Sequence, residues 1–116
     1  MPRPAKQSNS KIMDDLISRI VGAVHPIRII LFGSAARGEM GPDSDIDVMV
    51  VMPDGTHRLH AARYLYQRIA GFGHPVDIVV TTPDVLERHK HNIGLIYRTV
   101  LAEGKEIYAN PATDTR

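Results

Sequence analysis

Apolar residues recur along this chain with two different periods, and each period predicts one type of element. Ile12, Leu16, Ile20 and Val24 repeat at every fourth position, which is the spacing of one helix face. Shorter runs rich in valine and isoleucine, bounded by glycine, proline or aspartate, are typical of buried strands. The predicted elements in chain order are a helix over 10–24, strands over 27–32 and 48–52, a helix over 57–70, a strand over 76–81, helices over 83–91 and 92–102, and a short edge strand over 106–108.

This order of elements predicts one small α/β domain. We expect a mixed sheet of three or four strands, with the helices packed mainly on one face. The domain is expected to span residues 10–108, between a flexible arm over 1–9 and a flexible tail over 109–116. Ser10 is expected to cap the first helix.

The helix over 57–70 has a less regular pattern than the first helix. Leu59, Tyr66 and Ile69 are expected to face the core. Its arginines have two interpretations, because they could form a solvated face or one of them could contact a triphosphate. These arginines are Arg58, Arg63 and Arg68.

Composition limits the functions that need to be considered. The 116-residue chain has 14 basic and 13 acidic residues and a net charge of +1, which gives no electrostatic case for general nucleic-acid binding. A hydrophobic content of 43% and a charged content of 23% fit a soluble globular protein. We find no cysteine, no signal peptide and no long apolar span, so we expect a cytoplasmic protein that does not enter a membrane.

The most specific stretch is residues 27–52, in which two apolar runs flank a glycine-bounded turn and two aspartates. Gly33 allows another group to approach the backbone closely. The small residues after it leave backbone amides and the Ser34 hydroxyl open to an anion. Asp45 and Asp47 stand two residues apart at the start of a strand, so their side chains are expected on one face. Two adjacent carboxylates repel each other unless a cation neutralises them, and Mg²⁺ prefers such oxygens.

A third carboxylate is expected at the same place. Asp77 lies near the start of the strand over 76–81, and a helix separates that strand from the one that Asp45 and Asp47 open. A strand–helix–strand unit normally has parallel strands. If the two strands are neighbours, the three aspartates meet at one edge of the sheet and could hold two metal ions.

Simpler interpretations stay open for these motifs. An Asp-x-Asp sequence after a turn could be ordinary polarity at the entry of a strand. The turn also has the G-x4-G spacing of a phosphate-binding loop, but Glu39 follows it where that loop needs lysine. The metal site is favoured by the combination of a strand, Gly-Ser, ten intervening residues, Asp-x-Asp and a later strand aspartate.

The same residues resemble the signature of a known family. Gly33-Ser34, Arg37-Gly38 and Ser44-Asp45-Ile46-Asp47 look like the motif of the polymerase-beta-type nucleotidyltransferase superfamily. Size and motif are most similar to its smallest members, the minimal nucleotidyltransferase (MNT) proteins. Those proteins are commonly the antitoxins of HEPN/MNT toxin–antitoxin pairs. The resemblance covers about residues 10–108.

The resemblance implies roles in nucleotide binding for four positions of the loop region. Gly33 and Ser34 would hold the phosphates of the nucleotide. Arg37 and Ser44 would contribute further contacts to it. Arg37 also has a second interpretation, as a solvated loop charge.

The resemblance also implies the metal site and the reaction. Asp45, Asp47 and Asp77 would bind two Mg²⁺ ions, and Asp77 would help to activate the acceptor hydroxyl. That hydroxyl would attack the α-phosphate of ATP in line, and pyrophosphate would leave. The family points to a tyrosine of a partner HEPN toxin as the acceptor, so that the chain would be a protein adenylyltransferase acting as the antitoxin.

Two other functions remain open from the sequence. The chain could be an antitoxin that neutralises its partner by binding alone, with no catalysis. It could also be a stand-alone transferase that acts on a small molecule or an RNA end.

Overall fold

Helices and strands alternate along the part of the chain that the structure, a computed structural model, describes, which is residues 4–39, 45–89, 100 and 102–111. The described elements are α1 (Pro4–Val24), β1 (Arg28–Phe32), β2 (Ile46–Val51), α2 (Arg58–Arg68), β3 (Val76–Thr81), α3 (Pro83–His89) and β4 (Lys105–Ala109).

The strands form one four-stranded mixed sheet in the order β3-β2-β1-β4. Strand β1 pairs antiparallel with both β2 and β4, whereas β2 and β3 are parallel. A parallel pair needs a crossover between its strands, and α2 supplies it. The mixed four-stranded sheet and the parallel pairing of the two aspartate-bearing strands confirm the predicted fold class.

The two long helices, α1 and α2, cover one face of the sheet, and one hydrophobic core fills the space between these helices and the strands. Alternate residues of a strand project to opposite faces, so even-numbered positions of β2 and β3 point toward this core. The prediction that helices pack mainly on one face is confirmed. The buried residues of this core include Leu16 and Ile20 of α1, Leu65 of α2, Ile46, Val48 and Val50 of β2, and Ile78 and Val80 of β3.

The opposite face carries the odd-numbered positions of the same two strands. Met49 and Val51 pack there with Leu86 of the short helix α3. Asp47 and Asp77 belong to the same alternating sets. Both carboxylates therefore project from the face on which α3 packs, away from the main core.

Helix α1 begins at Pro4 and not at Ser10, so the predicted start of this helix and its predicted cap are wrong. Proline suits the first turn of a helix, because its φ is already helical and its missing N–H would have no partner there. Ala, Lys and Gln follow it, and all three are good helix formers. The polarity of this stretch, which indicated a loose arm, belongs to a helix.

Helix α2 faces the core differently from the prediction. Leu59 is 72% exposed and Tyr66 is 44% exposed, so neither is a core residue, while Leu65 is fully buried and Ile69 is buried as predicted. Residues four apart share a helix face, and Leu65 and Ile69 define the buried one. Leu59 precedes Leu65 by six residues, which at about 3.6 residues per turn places it roughly a third of a turn away.

Helix α3 begins as the sequence predicts. Thr82 caps it, because its Oγ1 accepts a hydrogen bond from the Val85 amide at 3.3 Å, and Pro83 is its first residue. The predicted helix over 92–102 lies almost wholly outside the described residues.

The predicted edge strand near the end of the chain is confirmed as β4. It is longer than predicted and runs through Ala109, and the Asn110 amide donates to the Ile27 carbonyl at 2.8 Å. The first residues of the predicted tail are therefore held by β1.

Thr81 gives a first testable prediction. Its side chain is fully buried at the end of β3, and its Oγ1 finds no hydrogen-bond partner among the described residues. A buried hydroxyl without a partner costs free energy, and valine has the same shape without it. We expect Thr81→Val to raise the free energy of unfolding by about 1 kcal/mol in urea denaturation. A decrease would mean that the hydroxyl is satisfied by a residue outside the described ranges.

Candidate active site

A tight turn links the end of β1 to the start of the site. The amides of Ala36 and Arg37 donate to the Gly33 carbonyl at 3.1 and 3.3 Å, and the Glu39 amide donates to the Ser34 carbonyl at 2.9 Å. This is one helical turn. No described backbone carbonyl accepts from the amides of Ser34 or Ala35. Free amides at the start of a helical turn can bind an anion, as the sequence predicts for Gly33-Ser34.

Gly33 is required at this turn for two independent reasons. Its φ is +74°, a region that residues with a side chain rarely adopt. A Cβ placed on it would also overlap the Asp47 carboxylate and lie 3.2 Å from the Asp47 Cγ. The sequence predicts a close approach at Gly33, and the group that approaches is the Asp47 side chain.

The three predicted aspartates come together at the amino ends of two adjacent strands. Asp47 and Asp77 are direct partners in the parallel register of β2 and β3, and Asp47 is also the partner of Phe32, the last residue of β1. Asp45 stands two residues before Asp47. The condition on which the prediction depended, that β2 and β3 are neighbours, is confirmed.

The three carboxylates interact electrostatically. Burial raises the pKa of the Asp47 carboxyl above its ordinary value, and the negative charges of Asp77 and Asp45 and a hydrogen bond with Asp77 raise it further. Asp47 is half-buried, while Asp45 and Asp77 are exposed. A negative charge is therefore least favourable on Asp47, the most enclosed of the three carboxyls, unless a cation compensates it.

Among the described residues, no basic side chain forms an ion pair with any of the three aspartates. The carboxylates that do form ion pairs in the described part of the chain lie elsewhere, and none of the three aspartates is among them. The paired acidic residues are Asp15, Glu39, Asp84, Glu103 and Glu106.

This donor set fits a hard divalent cation. Mg²⁺ takes carboxylate oxygens together with substrate phosphate oxygens, and an uncompensated group of carboxylates is the environment that attracts it. The fit is one of chemistry and not of a preformed cage, since no three acidic or histidine side chains of the described residues are arranged so that they could hold one ion together.

The other two residues predicted for nucleotide binding, Arg37 and Ser44, are not part of the carboxylate group. Arg37 is half-exposed, and its guanidinium donates to Glu39 at 3.2 Å and to Glu103 at 3.5 Å. Both interpretations of Arg37 stay open, because an exposed ion pair is easily exchanged for a phosphate contact. Ser44 lies outside the described residues, so its role stays a prediction.

The arginines of α2 are exposed, as expected for a solvated face. A groove of about 650 Å³ beside α2 and β3 contains none of the three aspartates. Its lining residues are His57, Arg58, Leu59, Ala62, Ile78, Val79 and Val80.

One residue near the site was not predicted from the sequence. The Tyr66 hydroxyl accepts a hydrogen bond from the Ile78 amide at 2.8 Å, next to Asp77. The pattern of α2 predicts Tyr66 as a core residue. No local pattern reveals this contact, because it joins a helix to a strand twelve residues later.

Comparison with known proteins agrees with this fold. The nucleotidyltransferase domain family matches residues 11–108. No curated protein matches the chain. Among solved structures, a toxin–antitoxin complex with AMP-PNP superposes with a TM-score of 0.60 at 24% identity, over 86% of this chain and 76% of that one.

Two further solved structures are similar. A mutant form of the toxin–antitoxin complex MntA-HpeT superposes with a TM-score of 0.60 at 20% identity, over 87% of this chain and 75% of that one. A tri-AMPylated Shewanella oneidensis HEPN toxin in complex with its MNT antitoxin gives a TM-score of 0.52 at 20% identity, over 93% and 76%. At these identities the likeness establishes the fold. None of the described helices is both long enough and apolar enough to cross a bilayer.

Proposed function

Because the chain belongs to the nucleotidyltransferase domain family, we propose that it transfers AMP from ATP to a hydroxyl group in a Mg²⁺-dependent reaction. The observation that carries this proposal is the group of three carboxylates without a described counter-cation, directly beside the Gly33-Ser34 turn. A cluster of this kind next to free backbone amides suits a nucleotide triphosphate and its metal ions.

Each residue has a role in the proposed reaction. Asp45, Asp47 and Asp77 would hold the Mg²⁺ ions, which when bound stabilise charge on the attacking and leaving oxygens. The Ser34 hydroxyl and nearby amides bind the triphosphate. A bond forms between the acceptor oxygen and the α-phosphorus, while the bond between that phosphorus and the oxygen that bridges it to the β-phosphate breaks. Pyrophosphate leaves, and Asp77 takes the hydroxyl proton.

We propose a tyrosine of a partner HEPN toxin as the acceptor, so that the chain acts as an antitoxin. This is supported by two of the three toxin–antitoxin complexes described above, since one contains an AMPylated HEPN toxin and another an ATP analogue. The absence of cysteine from the sequence fits a reducing cytoplasmic location for such a pair.

The test is the transfer of label from ATP marked at its α-phosphate. The chain is incubated with this ATP, Mg²⁺ and a HEPN toxin as the candidate partner, and the intact mass of the toxin is measured as well. We expect one or more AMP units on the partner, and none with Asp45→Asn/Asp47→Asn or when EDTA is added. An unlabelled partner that still forms a stable complex with the wild-type chain would refute the transfer.

We propose as the alternative that the chain neutralises a toxin by binding alone. This is supported by the toxin–antitoxin complexes among the similar structures. In that case Asp45→Asn/Asp47→Asn would rescue toxin-expressing cells as well as the wild type does. Loss of rescue by a variant that is folded and still binds the toxin would exclude it.

A further inference from the structure

We propose that Tyr66 is a positioning residue for Asp77. Its hydroxyl accepts a hydrogen bond from the unpaired edge of β3, which links that strand to helix α2 and keeps Asp77 opposite Asp47. This inference rests on the proposed function, because it concerns the same group of carboxylates. It assigns a role to a helix side chain whose described hydrogen bond is with the backbone of β3.

Strand β3 lies at one edge of the sheet. It is the last in the order β3-β2-β1-β4, so β2 is its only partner among the described strands. The carbonyls of Pro75 and Thr81 accept from β2-side amides, at 2.9 Å from Ile46 and 2.8 Å from Met52. Backbone groups of alternate residues point to opposite sides of a strand. The amide of Ile78 therefore points away from β2, and Tyr66 is its partner at 2.8 Å.

This hydrogen bond holds the backbone next to Asp77. The Ile78 nitrogen belongs to the peptide bond that directly follows Asp77, so Tyr66 fixes the chain on that side. The Ile46–Pro75 hydrogen bond fixes the chain shortly before Asp77. Asp77 is exposed and forms no ion pair with a described residue. Its carboxyl forms a hydrogen bond with Asp47. The alignment that allows this contact depends on how the β3 backbone is held, by the pairing with β2 on one side and by Tyr66 on the other.

Tyr64 of the same helix is a matched control for Tyr66. Tyr64 and Tyr66 are both 44% exposed and both belong to α2. The Tyr64 ring lies 5.9 Å from the Arg68 guanidinium carbon, and no described group bonds to its hydroxyl. Tyr64→Phe and Tyr66→Phe remove the same atom from similar surroundings, but only Tyr66→Phe leaves a backbone amide of β3 without its partner.

The experiment compares three properties of wild type, Tyr66→Phe and Tyr64→Phe. These are hydrogen exchange of the Ile78 amide, the affinity for Mn²⁺ used as a probe of the carboxylates, and the kinetics of AMP transfer. In Tyr66→Phe we expect the Ile78 amide to exchange about five- to tenfold faster, with a similar fall in kcat and in Mn²⁺ affinity. The KM for ATP should stay unchanged, since Ser34 and the turn are untouched. Tyr64→Phe should match the wild type in all three.

A further control separates positioning from a general loss of stability. Val21→Ala removes a half-buried side chain of α1 that packs on the main core, far along the chain from β3. It should lower the melting temperature without lowering Mn²⁺ affinity or kcat when assayed well below that temperature. If Val21→Ala lowers kcat as Tyr66→Phe does, positioning is refuted.

The remaining outcomes distinguish this inference from the proposed function. If the wild type transfers AMP and Tyr66→Phe has the kcat and Mn²⁺ affinity of Tyr64→Phe, positioning by Tyr66 is wrong and the transferase stands. If the wild type binds Mn²⁺ but transfers nothing, the transferase is wrong, and a weaker Mn²⁺ affinity in Tyr66→Phe alone still supports the positioning. If the wild type neither binds Mn²⁺ nor transfers AMP, both are wrong.

Discussion

Asp47→Asn should abolish nucleotide transfer and, at neutral pH, make the protein more stable. Asp47 is the central carboxylate, aligned with Asp77 across the sheet and flanked by Asp45. Metal ions contribute several kcal/mol of transition-state stabilisation in such sites, and about 1.4 kcal/mol is a factor of ten in rate. We therefore expect kcat to fall at least about a hundredfold. A variant with normal turnover would rule out Asp47 as a metal ligand.

The gain in stability follows from the direction of the pKa shift. The pKa of Asp47 is raised above its ordinary value of 3.8 in the folded state, by burial first and then by Asp77 and Asp45. The folded protein therefore holds this proton more tightly than the unfolded chain does. The resulting stabilisation is fully present below pH 3.8 and is lost as the pH rises through the raised value. At neutral pH the ionised carboxylate opposes folding, and asparagine removes that charge while keeping the size.

Melting temperatures measured against pH test this directly, in metal-free buffer. Asp47→Asn should melt above the wild type at neutral pH, and the difference should shrink as the pH falls toward 3.8. Asp14→Asn is the matched control, because Asp14 is exposed on α1, outside the site, and it should leave both stability and turnover unchanged. Mg²⁺ should raise the melting temperature of the wild type and not that of Asp47→Asn, since a ligand stabilises only the form that binds it. A variant that melts at or below the wild-type temperature at neutral pH would contradict the charge argument.

The features of this protein that depend on local pattern could be predicted from the sequence. The β-branched runs identify β1, β2 and β3, and the Thr82-Pro83 pair identifies the start of α3. The alignment of Asp47 with Asp77 also follows, because a strand–helix–strand unit with short connections brings the amino ends of its strands together.

Features that depend on distant contacts could not be predicted. Arg37 pairs with Glu103, which is 66 residues away, and the Tyr66 hydroxyl bonds to the Ile78 amide rather than packing in the core. Leu59 is exposed because the orientation of α2 is set by the surface it packs against, and an apolar residue by itself does not reveal which way its helix faces. The sequence indicates which residue types are available, whereas the packing of whole elements decides which of them meet.

Gly33→Ala should abolish nucleotide transfer and lower the stability of the protein. Comparison with Gly38→Ala shows whether backbone conformation or crowding against Asp47 causes the loss. Both glycines have nearly the same φ, +74° at Gly33 and +75° at Gly38. Alanine in this region costs about 1–2 kcal/mol, and that cost should be the same at both positions. A Cβ at Gly38 meets nothing within 4 Å, whereas a Cβ at Gly33 overlaps the Asp47 carboxylate. We therefore expect the larger loss of stability in Gly33→Ala.

The difference between the two variants should be greater in activity than in stability. Asp47 has to move away from an alanine at position 33, and a displacement of about 1 Å in a catalytic group can cost a hundredfold in rate. Gly38→Ala should retain most of its turnover. A double-mutant cycle isolates the clash, because Asp47→Ala removes the carboxylate that a Cβ at position 33 would meet. In that background the stability cost of Gly33→Ala should fall to that of Gly38→Ala. If it stays unchanged, Gly33 is required only for its backbone conformation, and its contact with Asp47 has no part in shaping the site.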